Sequence, residues 1–171
     1  MKKPAYDSTC SMFLYLEPMR YLISSLKFQA NHAAARLLGQ LMAEFLCSLN
    51  TPLPDLIIPV PLHPNRLKER GFNQSIELAR GVCARFGLAI SLDRCVRGRD
   101  TVSQTGLASK QRRRNVRGAF TMSHPITQQH VAIFDDVITT GSTVNEMAKT
   151  LRGHGVTKIQ VWSIARANLE H

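Results

Sequence analysis

The segment from Val131 to Thr143 constrains this chain more than any other. Four apolar residues, Val131-Ala132-Ile133-Phe134, come without a break, and Asp135-Asp136 follow. After Val137-Ile138 the chain reads Thr139-Thr140-Gly141-Ser142-Thr143. An unbroken apolar run ahead of turn residues predicts a strand buried on both faces. On this pattern the strand spans Val131 to Phe134 and carries the two carboxylates at its exposed tip. A turn of small hydroxylated residues around Gly141 then opens a helix over Ser142 to His154. A strand that runs through a tight turn into a helix is the start of a parallel α/β unit.

The rest of the chain supplies companions for that unit. Asn31 suits the N-cap of a stripe formed by Ala34, Leu37, Leu38, Leu41, Met42, Phe45, Leu46 and Leu49, whose spacing predicts an amphipathic helix. A shorter helix carries Leu22, Ile23 and Leu26, with Pro18 in its first turn. Asp55 to Val60 reads as a short buried strand running into a Pro-rich, basic turn from Pro61 to Gly71. Ile76, Leu78, Ala79, Val82, Cys83 and Phe86 form a second helical stripe, stopped by Gly87. Leu88 to Val96, Ala119 to Met122 and Lys158 to Ala165 are strand-like. Arg97 to Gly118 has almost no apolar content and no period, which predicts a long loop, and such loops usually carry function. Strands alternating with helices imply an α/β fold, a mainly parallel twisted sheet flanked by helices, with ligands at the carboxyl ends of the strands. No repeat or low-complexity linker divides the chain, so residues 1–168 read as one domain. The closing Leu169-Glu170-His171 looks like the beginning of a cloning tag.

Composition narrows the partners. With 171 residues, 44% of them hydrophobic, the chain suits one domain with a sizeable core. No apolar run approaches the roughly 18 residues of a membrane helix. Asp7 and Glu17 bracket the short apolar stretch Met12 to Leu16, which argues against a secretory signal. Cys10, Cys47, Cys83 and Cys95 are widely spaced and include no C-x-x-C pair, so no zinc site is expected. Cys47 and Cys83 fall on apolar stripes and read as buried free thiols, in keeping with a reducing cytoplasm. Trp162, Met42 and Phe45 are expected in the core. The formal net charge is +10, and the excess is local. Between Arg94 and Arg117 lie eight basic residues (Arg94, Arg97, Arg99, Lys110, Arg112, Arg113, Arg114, Arg117) against one acid, Asp100. That cluster attracts a polyanion, either a nucleic-acid backbone or a small molecule bearing pyrophosphate.

The segment from Asp135 to Thr143 says more about the ligand. Backbone N–H groups in the turn, with a helix dipole behind them, make an anion site. The hydroxyls of Thr139, Thr140, Ser142 and Thr143 add neutral donors for phosphate oxygens. The carboxylates of Asp135 and Asp136 suit hydroxyl donors such as a ribose 2′,3′-diol, or a hydrated Mg²⁺. A purely structural reading, in which Ser142 caps the helix and the aspartates end a strand, explains each part but not their combination. The pattern G-x-x-x-x-G-K-[ST] occurs nowhere, so this is not a Walker A loop.

These residues resemble the motif with which type I phosphoribosyltransferases bind 5-phosphoribosyl-1-pyrophosphate (PRPP). More closely, the chain resembles the ComF/GntX family, the competence-protein-F-like phosphoribosyltransferases of bacteria. Three further stretches carry that resemblance: Val60-Pro61-Leu62-His63 with Arg66; Arg70-Gly71-Phe72-Asn73-Gln74; and Gln104-x-x-Leu107 leading to Arg112-x-x-Asn115-Val116 and Ala119-Phe120. Together they run from about Tyr15 to Arg166. Members of the family commonly carry an N-terminal zinc-ribbon-like cysteine cluster, of which Cys10 alone would be a remnant here. Some purine phosphoribosyltransferases place a general-base aspartate where this chain has Thr139, so the motif itself shows no base.

The resemblance implies a type I phosphoribosyltransferase fold and a role for each stretch. Thr139, Thr140, Gly141, Ser142 and Thr143 would hold a 5′-phosphate, and Asp135 and Asp136 the ribose hydroxyls and Mg²⁺, directly or through water. Pro61, Leu62 and His63, with Arg66 and Arg70 and the neighbouring Lys68, would meet pyrophosphate. Arg97 to Arg117 would be a mobile catalytic hood whose Gln104, Arg112 and Asn115, with Lys110, oppose the charge of the departing pyrophosphate. The bland alternatives are a solvated turn for the first set of cations and a flexible basic loop for the second. His63 as an acid–base group competes with a structural histidine in a Pro-rich turn. The implied activity is Mg²⁺-dependent transfer of ribose 5-phosphate from PRPP to an unidentified nucleophilic acceptor. The alternative is a non-catalytic module that senses PRPP or a nucleotide while its basic loop binds single-stranded DNA or a protein of the competence machinery. The basic loop holds no aromatic residue on which bases would stack, which favours a small anion. A homodimer is left open.

Overall fold

The computed structural model describes residues 3–99 and 115–167. Its centre is a five-stranded sheet, entirely parallel, in the order β1 (Ser8–Leu14), β7 (Lys158–Arg166), β6 (His130–Ile138), β2 (Leu56–Pro59), β3 (Ala89–Ile90). Helices α1 (Met19–Gln29) and α2 (His32–Ser48) connect β1 to β2, and α3 (Pro64–Arg70) and α4 (Gln74–Phe86) connect β2 to β3. Helix α5 (Ser142–Gly153) connects β6 to β7. An antiparallel ribbon, β4 (Cys95–Arg97) with β5 (Phe120–Met122), stands apart from the sheet.

The alternation of side chains along each strand sorts the core into two layers. Ile57, Ala132, Phe134, Trp162 and Ile164 pack with Ile23, Leu26, Leu38, Met42, Leu78 and Val82 from α1, α2 and α4. Leu56, Ile58, Val131, Ile133, Ile159 and Val161 pack with Val144, Met147 and Leu151 from α5. Burial on both faces explains the unbroken apolar runs of β2 and of β6 up to Phe134, whereas the buried Gln160 and Ser163 interrupt the run in β7. Helices α2 and α4 meet backbone to backbone: a Cβ on Gly39 would lie 2.7 Å from the Leu78 carbonyl oxygen, and one on Gly81 would lie 2.8 Å from the Gly39 carbonyl carbon. Asn31 caps α2 by accepting from the Ala34 N–H at 3.0 Å, as its position in the sequence predicts.

The structure corrects several expectations. The basic turn after Pro61 is largely a helix, α3, opened by Pro64 and capped by His63, whose ring Nδ1 accepts from the Asn65 N–H at 3.3 Å. This helix buries no residue, so no apolar period announces it. Leu88 to Val96 divides into β3 and β4 rather than forming one strand. Residues 8–14 form an edge strand bonded on one side to β7, where half-exposed pairing blurs the alternation. Cys47 is exposed, because α2 buries Leu46, Ala43 and Met42 and the next position turns outward; Cys83 is partly buried and Cys95 buried. Trp162 and Met42 are core residues as expected, and Phe45 packs partly buried against them. Among the described residues no helix is long and apolar enough to cross a membrane.

Candidate functional site

Strands β2 and β6 are neighbours, and both end at the same edge of the sheet. The two turns singled out in the sequence therefore lie side by side, as the rule for parallel sheets requires. The turn after β6 is built by Gly141, the N-cap of α5, whose φ of 72° suits glycine. Thr140 Oγ1 lies 2.7 Å from Ser142 Oγ and accepts from the Ser142 N–H at 3.3 Å, a local turn that leads the chain into the helix. Thr139, Thr140, Gly141, Ser142 and Thr143 are all partly exposed. The first turn of α5 itself holds no acidic residue. The N-terminal segment braces this helix: the Ala5 N–H donates to Asn145 Oδ1 at 2.8 Å.

The turn after β2 is held from two sides. The Val60 N–H donates to the Phe134 carbonyl at 2.8 Å, and Asn73 Nδ2 donates to the Val60 carbonyl at 3.0 Å. Asn73 Oδ1 also caps α4 by accepting from the Ser75 N–H at 2.9 Å. One buried side chain thus fixes the turn that presents Pro61, Leu62 and His63, all partly exposed.

Asp135 and Asp136 do not sit at an exposed tip. Strand β6 continues to Ile138, because Val137 and Ile138 pair with Ala165 and Arg166 of β7, and Asp136 is only 4% exposed. Its carboxylate forms an ion pair with the Lys27 ammonium from α1. Burial opposes the Asp136 charge, but Lys27 and a hydrogen bond from Gln74 outweigh it and hold the carboxyl below the usual range. Asp135 accepts from the Ser75 hydroxyl at 3.2 Å and from the Asp136 N–H at 3.0 Å. Burial, with the adjacent charge of Asp136, pushes Asp135 up to about 8. The two carboxyls thus divide their states, one ionised and one holding a proton near neutral pH.

A cleft of about 380 Å³ opens beside this pair, lined by Lys27, Phe28, Gln29, Ala30, Arg66, Glu69, Arg70 and Phe72. The Arg70 guanidinium lies over the Phe28 ring, 5.8 Å from its centroid, and donates to Gln74 Oε1 at 2.6 Å. Arg66 is 3.6 Å from Glu69. The expected cations Arg66 and Arg70 are therefore brought together with Lys27, which the sequence reading passed over. The signal was present: Lys27 falls four residues after the fully buried Ile23, a charge on the buried stripe of α1. Ser75 and Gln74 were likewise unanticipated as partners of the aspartates.

Gln104, Arg112 and Lys110 lie outside the described residues. Asn115 is partly exposed at the near end of that stretch, next to the buried Val116. In the β4–β5 ribbon Arg97 pairs with Phe120, and its guanidinium lies 5.7 Å from that ring's centroid. The Gly118 N–H donates to Glu146 Oε1 at 2.9 Å, tying the segment before β5 to α5. Among the described residues no group of three or more His, Cys, Asp or Glu side chains could hold a metal ion.

No protein-family model matches the chain. It is 37% identical to "Competence protein F" of Haemophilus influenzae over 97% of this chain and 76% of that protein. It is 38% identical to "DNA utilization protein YhgH" of Salmonella typhi over 96% of this chain and 74% of that one. The "Competence protein ComFC" of Streptococcus pneumoniae is 26% identical over 91% of this chain and 67% of its own length. Among solved structures, a purine phosphoribosyltransferase of Pyrococcus horikoshii matches at 16% identity and a TM-score of 0.43, over 77% of this chain and 81% of that one. A hypoxanthine phosphoribosyltransferase of Staphylococcus aureus matches at 12% identity and a TM-score of 0.46, over 79% and 64% respectively. With relatives at this identity spanning nearly its whole length, the chain belongs to the competence protein F (ComF) family.

Proposed function

We propose that the protein binds PRPP and transfers its ribose 5-phosphate to a nucleophilic acceptor, releasing pyrophosphate. One observation carries this reading: a hydroxyl-rich turn at the start of α5 lies at the same sheet edge as the buried Asp136 and partly buried Asp135 carboxyls and a cleft of cations. The turn Thr139 to Thr143 takes the 5′-phosphate through N–H and hydroxyl donors. Asp135 and Asp136 accept from the ribose hydroxyls. Pro61, Leu62 and His63, with Arg66 and Arg70, face the pyrophosphate. In the reaction a lone pair of the acceptor forms a bond to C1′. The C1′–O bond breaks, and its electron pair leaves with pyrophosphate, whose growing charge the cations oppose. Two adjacent carboxyls supply the hard oxygen donors that Mg²⁺ prefers, and Mg²⁺ is usually held by one or two carboxylates with substrate phosphates completing the shell. Asp135 and Asp136 would hold it, and the ion would supply neutralisation of the pyrophosphate.

A thermal shift on adding millimolar PRPP with Mg²⁺ tests the reading by mass action. Replacing both aspartates with asparagine should then weaken PRPP binding relative to pyrophosphate binding by about tenfold or more while inorganic phosphate binds as before. Unshifted melting in the parent, or an unchanged ratio of PRPP to pyrophosphate affinity in the double variant, speaks against it.

A second reading rests on a different feature. The Phe28 ring is 76% exposed beside Arg70, an aromatic–cation pair that suits a stacked base. Relatives named for DNA utilisation and competence fit a module that senses PRPP without turnover and binds single-stranded DNA or a protein of the competence machinery.

A further inference from the structure

We infer that Lys27 is a ligand-responsive residue of this site. Its ammonium leaves Asp136 for a diphosphate group held in the cleft between α1 and α3, and thereby frees the Asp136 carboxylate for the ribose. The inference rests on the PRPP reading and adds to it a residue and an order of contacts.

Lys27 belongs to two surroundings at once. It pairs with Asp136, whose side chain is 6% exposed, and it lines the cleft that holds Arg66 and Arg70. The cleft's one acid, Glu69, already faces Arg66. With Lys27 turned to Asp136, the cleft shows two arginines to one carboxylate. With Lys27 turned outward it shows three cations, a set complementary to a diphosphate. The long lysine stem reorients without any change of backbone. Burial in this cleft, with the charge of Arg66, holds Arg70 below its ordinary pKa against the pull of Asp136 and Glu69.

The order of contacts follows from the cost of breaking the pair. A ribose diol alone replaces a charge-assisted bond by neutral ones and leaves an ammonium unpaired, which is unfavourable in a half-buried site. A diphosphate removes that penalty by taking the ammonium itself. Asp136 keeps its bond from Gln74, which Arg70 holds in place, and gains the diol as donor. Only a ligand with both diol and diphosphate satisfies both ends of the exchange. Ribose 5-phosphate, lacking the diphosphate, leaves the Lys27–Asp136 pair intact.

Calorimetric titration with inorganic pyrophosphate tests the exchange on the full chain. Asp136→Asn should bind pyrophosphate about tenfold more tightly than the parent, because the ammonium is no longer held back. That gain should vanish in the double variant Lys27→Met with Asp136→Asn, which leaves no unpaired buried charge. Lys27→Met alone should weaken pyrophosphate binding about tenfold, and Lys27→Arg should recover it to within about threefold. Inorganic phosphate should bind all of them equally, which a general loss of structure would not allow. Asp136→Asn without a gain, a gain that persists without Lys27, or phosphate affinity falling in step would each overturn the inference. PRPP binding in the parent with a flat pyrophosphate cycle sinks the role of Lys27 and leaves the PRPP reading standing. Absence of PRPP binding in the parent sinks that reading itself.

Discussion

Lys27 and Asp136 form an ion pair that joins the last turn of α1 to the central strand β6 at the edge of the sheet where the turns after β2 and β6 lie. Because Asp136 is buried, its charge decides the state of its neighbour as well. Asp136 stays ionised against Lys27, and the negative charge so fixed helps keep a proton on Asp135. The Asp136 carboxylate is thus answered by a cation from α1.

Asp135 should make stability depend on pH. Its folded pKa of about 8 lies above the ordinary carboxyl value, so through that window the native state keeps a proton the unfolded chain has lost. Stability therefore falls as pH rises towards 8. Asparagine cannot ionise, so Asp135→Asn should gain on the parent between about pH 5 and pH 8 and level off above. Urea midpoints across that range check it, and a gap that shrinks with rising pH would contradict it.

Asn73 should matter more than a polar loop residue usually does. Asn73→Ala removes the cap of α4 and the donor to the Val60 carbonyl, both buried. We expect a loss of about 2 kcal/mol. Asn73→Asp keeps the capping oxygen but not the donor and should fall between. Equal stability of parent and alanine variant in denaturant unfolding would count against the double role.

The α2–α4 contact should tolerate no added methyl. Gly39→Ala places a Cβ 2.7 Å from the Leu78 carbonyl oxygen and should cost about 2–3 kcal/mol. Gly153→Ala meets nothing within 4 Å and serves as the control, neutral or slightly stabilising. Comparable melting temperatures for the two variants would refute the close-packing account.

The basic loop separates enzyme from binding module. If it closes over PRPP, replacing Lys110 and Arg112 with glutamine should lower turnover far more than PRPP affinity, since the charge they oppose is greatest in the transition state. If it serves nucleic acid, the same change should spare PRPP binding. It should weaken single-stranded DNA binding and flatten its salt dependence by about 0.7 per lost phosphate contact. Pyrophosphate release and DNA binding at several salt concentrations, measured on one variant, discriminate. We expect the first outcome, because the loop from Arg97 to Gly118 holds no aromatic residue on which bases would stack.

The sequence by itself determined what depends on local period and capping. The alternating α/β order, the Asn31 cap, the helical stripe ending at Gly87 and the strand–turn–helix unit around Gly141 are legible because neighbouring residues decide them. Periodicity says which face of an element is apolar but not which element covers it. Tertiary structure alone decided that Asp136 meets Lys27, that Ser75 bonds Asp135, and that Arg70 turns to Phe28 and Gln74. It also decided that β6 runs on past the aspartates, because β7 lies alongside to bond them, and that α3 forms with no buried face of its own. These relationships join groups far apart in the chain, and packing, which has no local signature, selects them.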